Sequence, residues 1–390
     1  MPQKRELIVY TEASGSGAGR YTVELVNALS RAEPAALDVS FVGPPQDHTS
    51  HSARQTLLPS PRESGKASKL FRLLDISLAG ARHLFAAAQA DTIVLMLFLL
   101  PTVPVSLLPL LVSKLKGAKL VLSLHDFYPH TPRFPAALQP IERWLYLWSY
   151  RRFDLIVTNA DAQVDRLVRE AAVPRERICP SRHGVFPVDK VTFPDKEAGV
   201  RLLAFGSLRP NKRILESIQA VKALRAKGVD VSLRIAGAPR REDSDYWAAC
   251  KAELGAAPDG FEVEDRFIDE TDLASVLSGV DGFLCPYVNF DSASGVSLMA
   301  TSNGFPIIGT PCVSLPGLDV DMTPIAEMAE VADIEAGIVA FLRISRKERL
   351  RRAAEVQTRV LQAFSWDTIA TEVVTAIGRI SAAAQRSSTP

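Results

Sequence analysis

Short apolar runs alternate with longer segments of helical period along this chain. Leu7–Tyr10 is apolar throughout, and Arg20–Ala32 follows with Tyr21, Leu25, Val26 and Leu29 on one helical face. Further strand-length runs are Asp38–Val42, Thr92–Leu97, Lys119–Leu124 and Leu155–Thr158. Runs that are apolar throughout predict strands buried on both faces, as in a parallel sheet covered by helices. The rhythm restarts near residue 200, with strand Arg201–Gly206, helix Arg213–Lys227 and strands at Val231–Ile235, Phe261–Phe267, Gly282–Pro286 and Pro306–Gly309. Phe186–Gly199, with two prolines, five charges and no period, reads as a linker, and Arg346–Gln385 reads as helix with a frayed tail behind it.

This pattern predicts an α/β chain of two doubly wound, Rossmann-like parallel-sheet domains facing across a cleft. The expected divisions are 1–187, 200–365 and a terminal helical segment 366–390. Thr92–Val112 is long and apolar enough to span a bilayer, but Pro101, Pro104 and Pro109 interrupt it. A buried strand, a proline turn and a short helix are the expected reading.

Composition narrows the class. The 390 residues are 47% hydrophobic and 23% charged, which excludes a disordered chain, and the formal net charge of +1 gives no footprint for nucleic acid. Cys179, Cys250, Cys285 and Cys312 lie far apart without a CxxC pair, so neither a zinc site nor a disulfide framework is expected, and reduced thiols in the cytoplasm are.

Four places carry candidate chemistry. Gly15-Ser16-Gly17-Ala18-Gly19 lies between a strand and a helix, where bare backbone and a helix N-terminus suit an anion. It is not a dinucleotide fingerprint, because Arg20 stands where GxGxxG needs its third glycine; a plain tight turn is the alternative. His125 and Asp126 end a strand, where they would position hydroxyls or move protons, with a turn cap as the alternative for Asp126. Arg209 and Lys212 straddle a helix start, where the dipole disfavours cations unless an anion sits there; a solvated pair is the alternative. Ser294, Gly295 and Val296 open a helix as a second cradle of small residues, or as an ordinary cap. The triplets Asp243–Asp245 and Asp319–Asp321 follow no buried strand, so no metal site is expected.

The order of these pieces resembles glycosyltransferase family 4, which has the two-domain GT-B fold. Gly15–Tyr21 is similar to the family's first loop, Leu124-His125-Asp126 to its strand-end pair, and Arg182-His183-Gly184-Val185 to its interdomain turn. Phe205-Gly206 with Arg209 and Lys212 resembles the phosphate motif, Leu233–Gly237 the strand reaching the base, Val280–Pro286 the approach to the donor loop, and Ser365-Trp366 the start of the terminal helix. Two positions depart from the family: Met299 replaces the second Glu of the Glu-x7-Glu signature, whose first position is Asp291, and Arg213 replaces a glycine. Absence of the second Glu resembles an exopolysaccharide-type bacterial branch.

The resemblance implies sugar transfer from a UDP- or GDP-linked donor to a saccharide or lipid-linked acceptor, with retention and without metal or cofactor. Gly15, Gly17, Arg209, Lys212, Ser294, Gly295 and Val296 would hold the diphosphate. His125 and Asp291 would hold sugar hydroxyls, Asp126 would be the general base in an inverting reaction, and Gly237, Phe267 and Met299 would meet base and ribose. A non-catalytic sugar-nucleotide-binding subunit is the rival reading, motivated by Met299 and Arg213. Ser52–Phe85, basic with interleaved apolar residues, is expected as a helix either packed on the sheet or docking at the anionic inner face of the cell membrane.

Overall fold

A computed structural model describes residues 5–13, 16–32, 37–46, 53–59, 68–97, 107–128, 134–159, 161–194, 199–255, 259–289, 294–313, 315, 318 and 320–387. The chain forms two compact units, one running to Gly184 and resuming at Trp366, the other spanning Val185–Ser365.

The first unit contains, in order, β1 (Arg5–Thr11), α1 (Ser16–Arg31), β2 (Leu37–Gly43), β3 (Arg54–Leu57), α2 (Ser68–Ala87), β4 (Ile93–Leu97), α3 (Leu108–Leu115), β5 (Lys119–Leu124), α4 (Gln139–Tyr150), β6 (Leu155–Thr158), α5 (Asp161–Arg169) and β7 (Ile178–Pro180). The strands form one sheet in the order β3-β2-β1-β4-β5-β6-β7. Every pairing is parallel, with Tyr10 opposite Val42 on one side and Met96 on the other. The order reverses between β1 and β4, the place where open α/β sheets take ligands. Ile8, Val94, Leu120, Leu122 and Ile156 share one core with Ile76 and Leu84 of α2, Leu110 of α3, Tyr146 and Tyr150 of α4 and Leu167 of α5. Four helices therefore cover the same face of the sheet.

The second unit contains β8 (Val200–Phe205), α6 (Ile214–Ala226), β9 (Val231–Gly237), α7 (Ser244–Leu254), β10 (Phe261–Asp265), α8 (Glu270–Leu277), β11 (Gly282–Cys285), α9 (Gly295–Ser302), β12 (Ile307–Gly309), β13 (Thr323–Pro324), α10 (Val331–Arg343) and α11 (Arg346–Ala363). Its sheet order is β10-β9-β8-β11-β12-β13, again parallel, with the reversal between β8 and β11. The last helix, α12 (Trp366–Ser387), returns to the first unit and packs against α1.

Three sequence expectations need correction. Ser52–Phe85 is not one helix: its start pairs as β3, and α2 begins at Ser68. Ile76, one of its apolar residues, is turned into the core. Arg346–Gln385 is not one continuous helix: the chain turns at Phe364 and Ser365, and the second helix starts at Trp366, where the resemblance put the start of the terminal helix; Phe364 is buried, and its carbonyl accepts the Val185 N–H at 3.0 Å. The stretch after Val185 is no free linker. Val188, Val191 and Phe193 pack on the second unit's core, Phe193 and Phe305 stack with centroids 4.8 Å apart, and Asn303 Oδ1 accepts the Val188 N–H at 2.7 Å. The spacing of these three apolar residues, three and then two positions apart, gives no period in the sequence. Thr92–Val112 falls into β4 and the start of α3, with 98–106 outside the described residues, and among the described residues no helix is long and apolar enough to cross a membrane.

One glycine in the second unit is fixed by contact. Gly237 ends β9 at φ +147°, and a Cβ there would stand 2.0 Å from the Gly206 carbonyl oxygen. The two strand ends stay zipped beyond the sheet, with Gly206 N–H donating to Ala236 O at 2.9 Å and Leu208 N–H to Ala238 O at 3.1 Å. Gly237→Ala must break this approach. A loss of about 2–4 kcal/mol is expected, read as a lowered denaturant midpoint for the second unit; an unshifted midpoint would refute the contact.

Candidate active site

In the first unit, the carboxyl ends of the strands gather rings from four separate segments. His125 follows β5, and its ring meets Tyr21 edge-on with centroids 4.3 Å apart. Tyr21 also meets His183 at 5.2 Å and Trp366 at 5.1 Å, while the two imidazoles stand 6.1 Å apart. Tyr21 Oη and Ser123 Oγ are 3.1 Å apart, Asn159 Nδ2 approaches His125 Nδ1 at 3.4 Å, and Gln163 donates to the His125 carbonyl at 2.6 Å. Gly184 lets the turn lie on the indole, because a Cβ there would come 2.2 Å from Trp366.

This packing sets the protonation states. Burial, then the neighbouring His183, pushes the His125 imidazolium down to about 3, so the ring is neutral near pH 7 and acts as a hydrogen-bonding group. Burial raises the Tyr21 phenol to about 12 and lowers His183. Asp126, next in sequence, is exposed.

A further acid was not anticipated from the sequence. Glu12 directly follows β1 and is buried; its Oε1 accepts from Tyr10 Oη at 2.8 Å and Ser77 Oγ at 2.7 Å. Burial lifts its carboxyl to about 7 against the opposing hydrogen bonds from Ser77 and Tyr10. An acid between a buried strand and a glycine-rich turn was the available signal. Gly15 lies outside the described residues, and of Gly17 only its place in the first turn of α1 is described.

The second unit concentrates positive charge where its strand order reverses. Pro210–Lys212 forms a single 3-10 turn after β8, and Arg213 adopts the left-handed conformation, φ 54°, before α6 begins. The turn folds Lys212 back under the strand end. Its side chain is buried, Nζ donates to Phe205 O at 2.8 Å, and the ammonium lies 5.1 Å from the Tyr287 ring centroid. Burial lowers Lys212 to about 7, and Arg209 and Arg240 push it the same way, against the opposite pull of Cys285. Arg240, just past Gly237, was missed by sequence reading because no motif marks it.

Val296 reaches the same place, 3.6 Å from where a Cβ on Gly206 would stand. Ser294 is buried as the N-cap of α9, its Oγ accepting the Ser297 N–H at 3.2 Å, and Gly295 has open space before it. Structure thus brings Lys212, Gly206, Gly237 and Val296 together and sets Arg209 and Arg240 within electrostatic reach. Phe267 is exposed just beyond β10, whose Asp265 pairs with Gly237. Asp291 and Asp319 lie outside the described residues, and Asp243 and Asp245 flank the start of α7. Met299 is half-buried against the apolar cluster of Phe283, Phe305 and Val313, and its carbonyl accepts from Asn303 Nδ2 at 2.8 Å.

Comparison with known proteins gives this geometry a family. Residues 16–182 match the glycosyl transferase 4-like domain and residues 199–343 match glycosyl transferases group 1. The chain belongs to the family 4-like glycosyltransferases. No curated protein matches it in sequence. Its fold is GT-B, shared with sucrose-phosphate synthase from Thermosynechococcus elongatus at TM-score 0.71 and 15% identity, over 98% of this chain and 100% of that one. HepE of Anabaena, solved with UDP and glucose, aligns at 0.69 and 12% over 97% and 100%. A putative UDP-N-acetylglucosamine 2-epimerase from Listeria monocytogenes aligns at 0.61 and 14% over 96% of each chain. The fold alone is thus compatible with more than one activity, and the family matches select transfer.

Two outcomes follow for this glycosyltransferase. Lys212 in the folded chain loses its proton near pH 7, whereas in the unfolded chain it holds it to about pH 10.5. The unfolded state therefore binds more protons between these values, so this group's contribution to stability rises with pH across that window. The stability of wild type relative to Lys212→Met should climb from pH 7 to 9; a pH-independent difference would refute the buried, discharging ammonium. Met299→Glu places a carboxylate among apolar side chains, and a loss of roughly 2–4 kcal/mol in thermal or denaturant unfolding is expected. A fully stable variant would show that Met299 is not packed in that cluster.

Proposed function

We propose that this enzyme transfers a sugar from a nucleoside-diphosphate sugar to a saccharide or lipid-linked acceptor, with retention at the anomeric carbon and without a metal. The observation that carries this reading is the buried ammonium of Lys212, set beside Arg209 and Arg240 at the reversal of the second sheet. A desolvated cation next to two more is costly until an anion arrives. A diphosphate would restore the Lys212 charge and accept from the Arg209 guanidinium, and the same field would stabilise the leaving nucleotide as its bond to the sugar breaks. HepE of Anabaena was solved with UDP-glucose, which supports a donor of this class.

Ser294, Gly295 and Val296 at the start of α9 complete the diphosphate cradle of the second unit in this reading, and Gly15 and Gly17 offer the first unit's own backbone to an anion. Neutral His125 and the Asp291 carboxylate hold sugar hydroxyls, Asp126 is the base if the reaction inverts, and Gly237, Phe267 and Met299 face base and ribose. The expected setting is bacterial exopolysaccharide assembly in the cytoplasm, at the inner face of the membrane, with no nucleic acid as partner. Met299 favours one rival, a sugar-nucleotide-binding subunit without turnover, because a thioether packed on apolar side chains replaces a hydrogen-bonding acid.

A panel of UDP- and GDP-sugars, read by thermal shift and by release of nucleotide, tests both. Binding with turnover supports the enzyme, and binding alone supports the rival. Arg209→Ala and Lys212→Ala should each weaken nucleotide affinity by about 1.5–3 kcal/mol, the range for hydrogen bonds to charged groups. Unchanged affinity in both would remove the diphosphate from this site. Turnover should survive EDTA; loss restored by Mg²⁺ or Mn²⁺ would overturn the metal-free step.

A further inference from the structure

The helices α2, α3 and α4 share the core on one face of the first sheet, so their outer surfaces form one side of that unit. That side is unusually apolar. Of the 12 large hydrophobic residues exposed among the described residues, seven fall here: Leu78 and Phe85 on α2, Leu111 and Leu115 on α3, Leu138 just before α4, and Ile141 and Trp144 on it. Leu115 is 85% exposed, Phe85 62% and Trp144 58%. Isolated exposed apolar side chains are ordinary, but a run of them over three neighbouring helices is a binding surface.

The charges around them have one sign on two of the three helices. The sole acid of α4, Glu142, is buried, and its Oε2 accepts the Phe134 N–H at 3.3 Å. α3 carries no acid. Exposed Arg143 and half-buried Lys116 and Arg152 remain toward solvent, while Arg151 Nε donates to the Ala171 carbonyl at 2.8 Å and Lys114 is paired with Asp154 at 3.1 Å. The cations lie against aromatic rings: Lys116 Nζ is 5.0 Å from the Phe85 centroid, and the Arg152 guanidinium 4.3 Å from that of Trp148. On α2 the exposed charges are mixed, Arg82 with Asp75.

We propose that the outer surface of α2, α3 and α4 docks on an anionic lipid bilayer. Tryptophan and aliphatic side chains enter the headgroup boundary, and the arginines and lysines beside them meet acidic headgroups, the composition of an interfacial helix. Ile76, which the sequence offered for such a contact, is in the core, and the docking side chains are others. This proposal does not rest on the nucleotide-sugar reading, since nucleotide binding is measured separately in the second unit.

The test is co-sedimentation of the full chain with vesicles of phosphatidylglycerol and phosphatidylcholine, against phosphatidylcholine alone. Binding should require the acidic lipid and fall several-fold between about 50 and 300 mM salt. Trp247 and Trp366 are buried, so a blue shift of fluorescence on binding should come from the exposed Trp144 and the half-buried Trp148 of α4, and be reduced in Trp144→Phe. The double variant Ile141→Ser, Trp144→Ser should lose about tenfold in partitioning, and Arg143→Glu with Lys116→Glu likewise, with melting temperature and nucleotide affinity held as wild type. No binding to acidic vesicles at low salt would overturn the proposal. So would binding that ignores lipid charge, or a concentration-dependent dimer that the Ser variant abolishes, which would assign the surface to a second copy of the chain.

Discussion

Two parallel sheets, each covered by helices, leave little backbone free to meet solvent except at the strand ends. Everything else in the chain depends on that constraint. The strand interiors are occupied by side chains such as Leu7, Ile8, Leu120, Leu202 and Leu233, all fully or almost fully buried. Each such residue contributes about 1.5–3 kcal/mol when removed from water, so the layers are strongly specified and the chemistry is displaced to the edges. Where the strand order reverses, neighbouring turns diverge and leave room for a ligand. His125 in the first unit and Lys212 in the second stand at carboxyl edges of their sheets.

The two edges are built on different physics. In the first unit, rings from α1, β5, the turn at His183 and the start of α12 exclude water from one another, and exclusion of water keeps His125 neutral. In the second, a single 3-10 turn and a left-handed Arg213 carry a flexible cation beneath a strand end, where its carbonyl partner and an aromatic face are poor substitutes for hydration. A neutral hydrogen-bonding surface suits hydroxyls, and a partly discharged cluster of cations suits an anion. The two edges thus differ in how each handles desolvation.

The fold is shared with a sucrose-phosphate synthase and with a putative epimerase, so architecture does not choose the reaction. Family membership chooses transfer. The setting of Met299 is local: α9 is short and most of its side chains face the interior, so a carboxylate at that position would need its own partner. Asn303 instead ties the carbonyl of Met299 to the backbone of Val188, making this helix a clamp on the segment that enters the unit.

The sequence by itself determined the layers, because continuous apolar runs separated by helical periods have few other ways to hide from water. It also located His125 at a strand end and Arg209, Lys212 and Ser294 in the stretches that lead from a strand to the next helix, since each lies beyond a run that must be buried. It left open which side of the helix in Ser52–Phe85 faces out: Ile76 looks inward, as in the reading packed on the sheet, while Phe85 looks outward. Nor did it reveal Arg240, Glu12 or the meeting of Tyr21, His125, His183 and Trp366, residues as much as 345 positions apart. Those are long-range juxtapositions, and a pKa moved by burial exists only once the chain has closed around the group. Local pattern records which residues avoid water; only tertiary packing decides which polar groups are carried along with them.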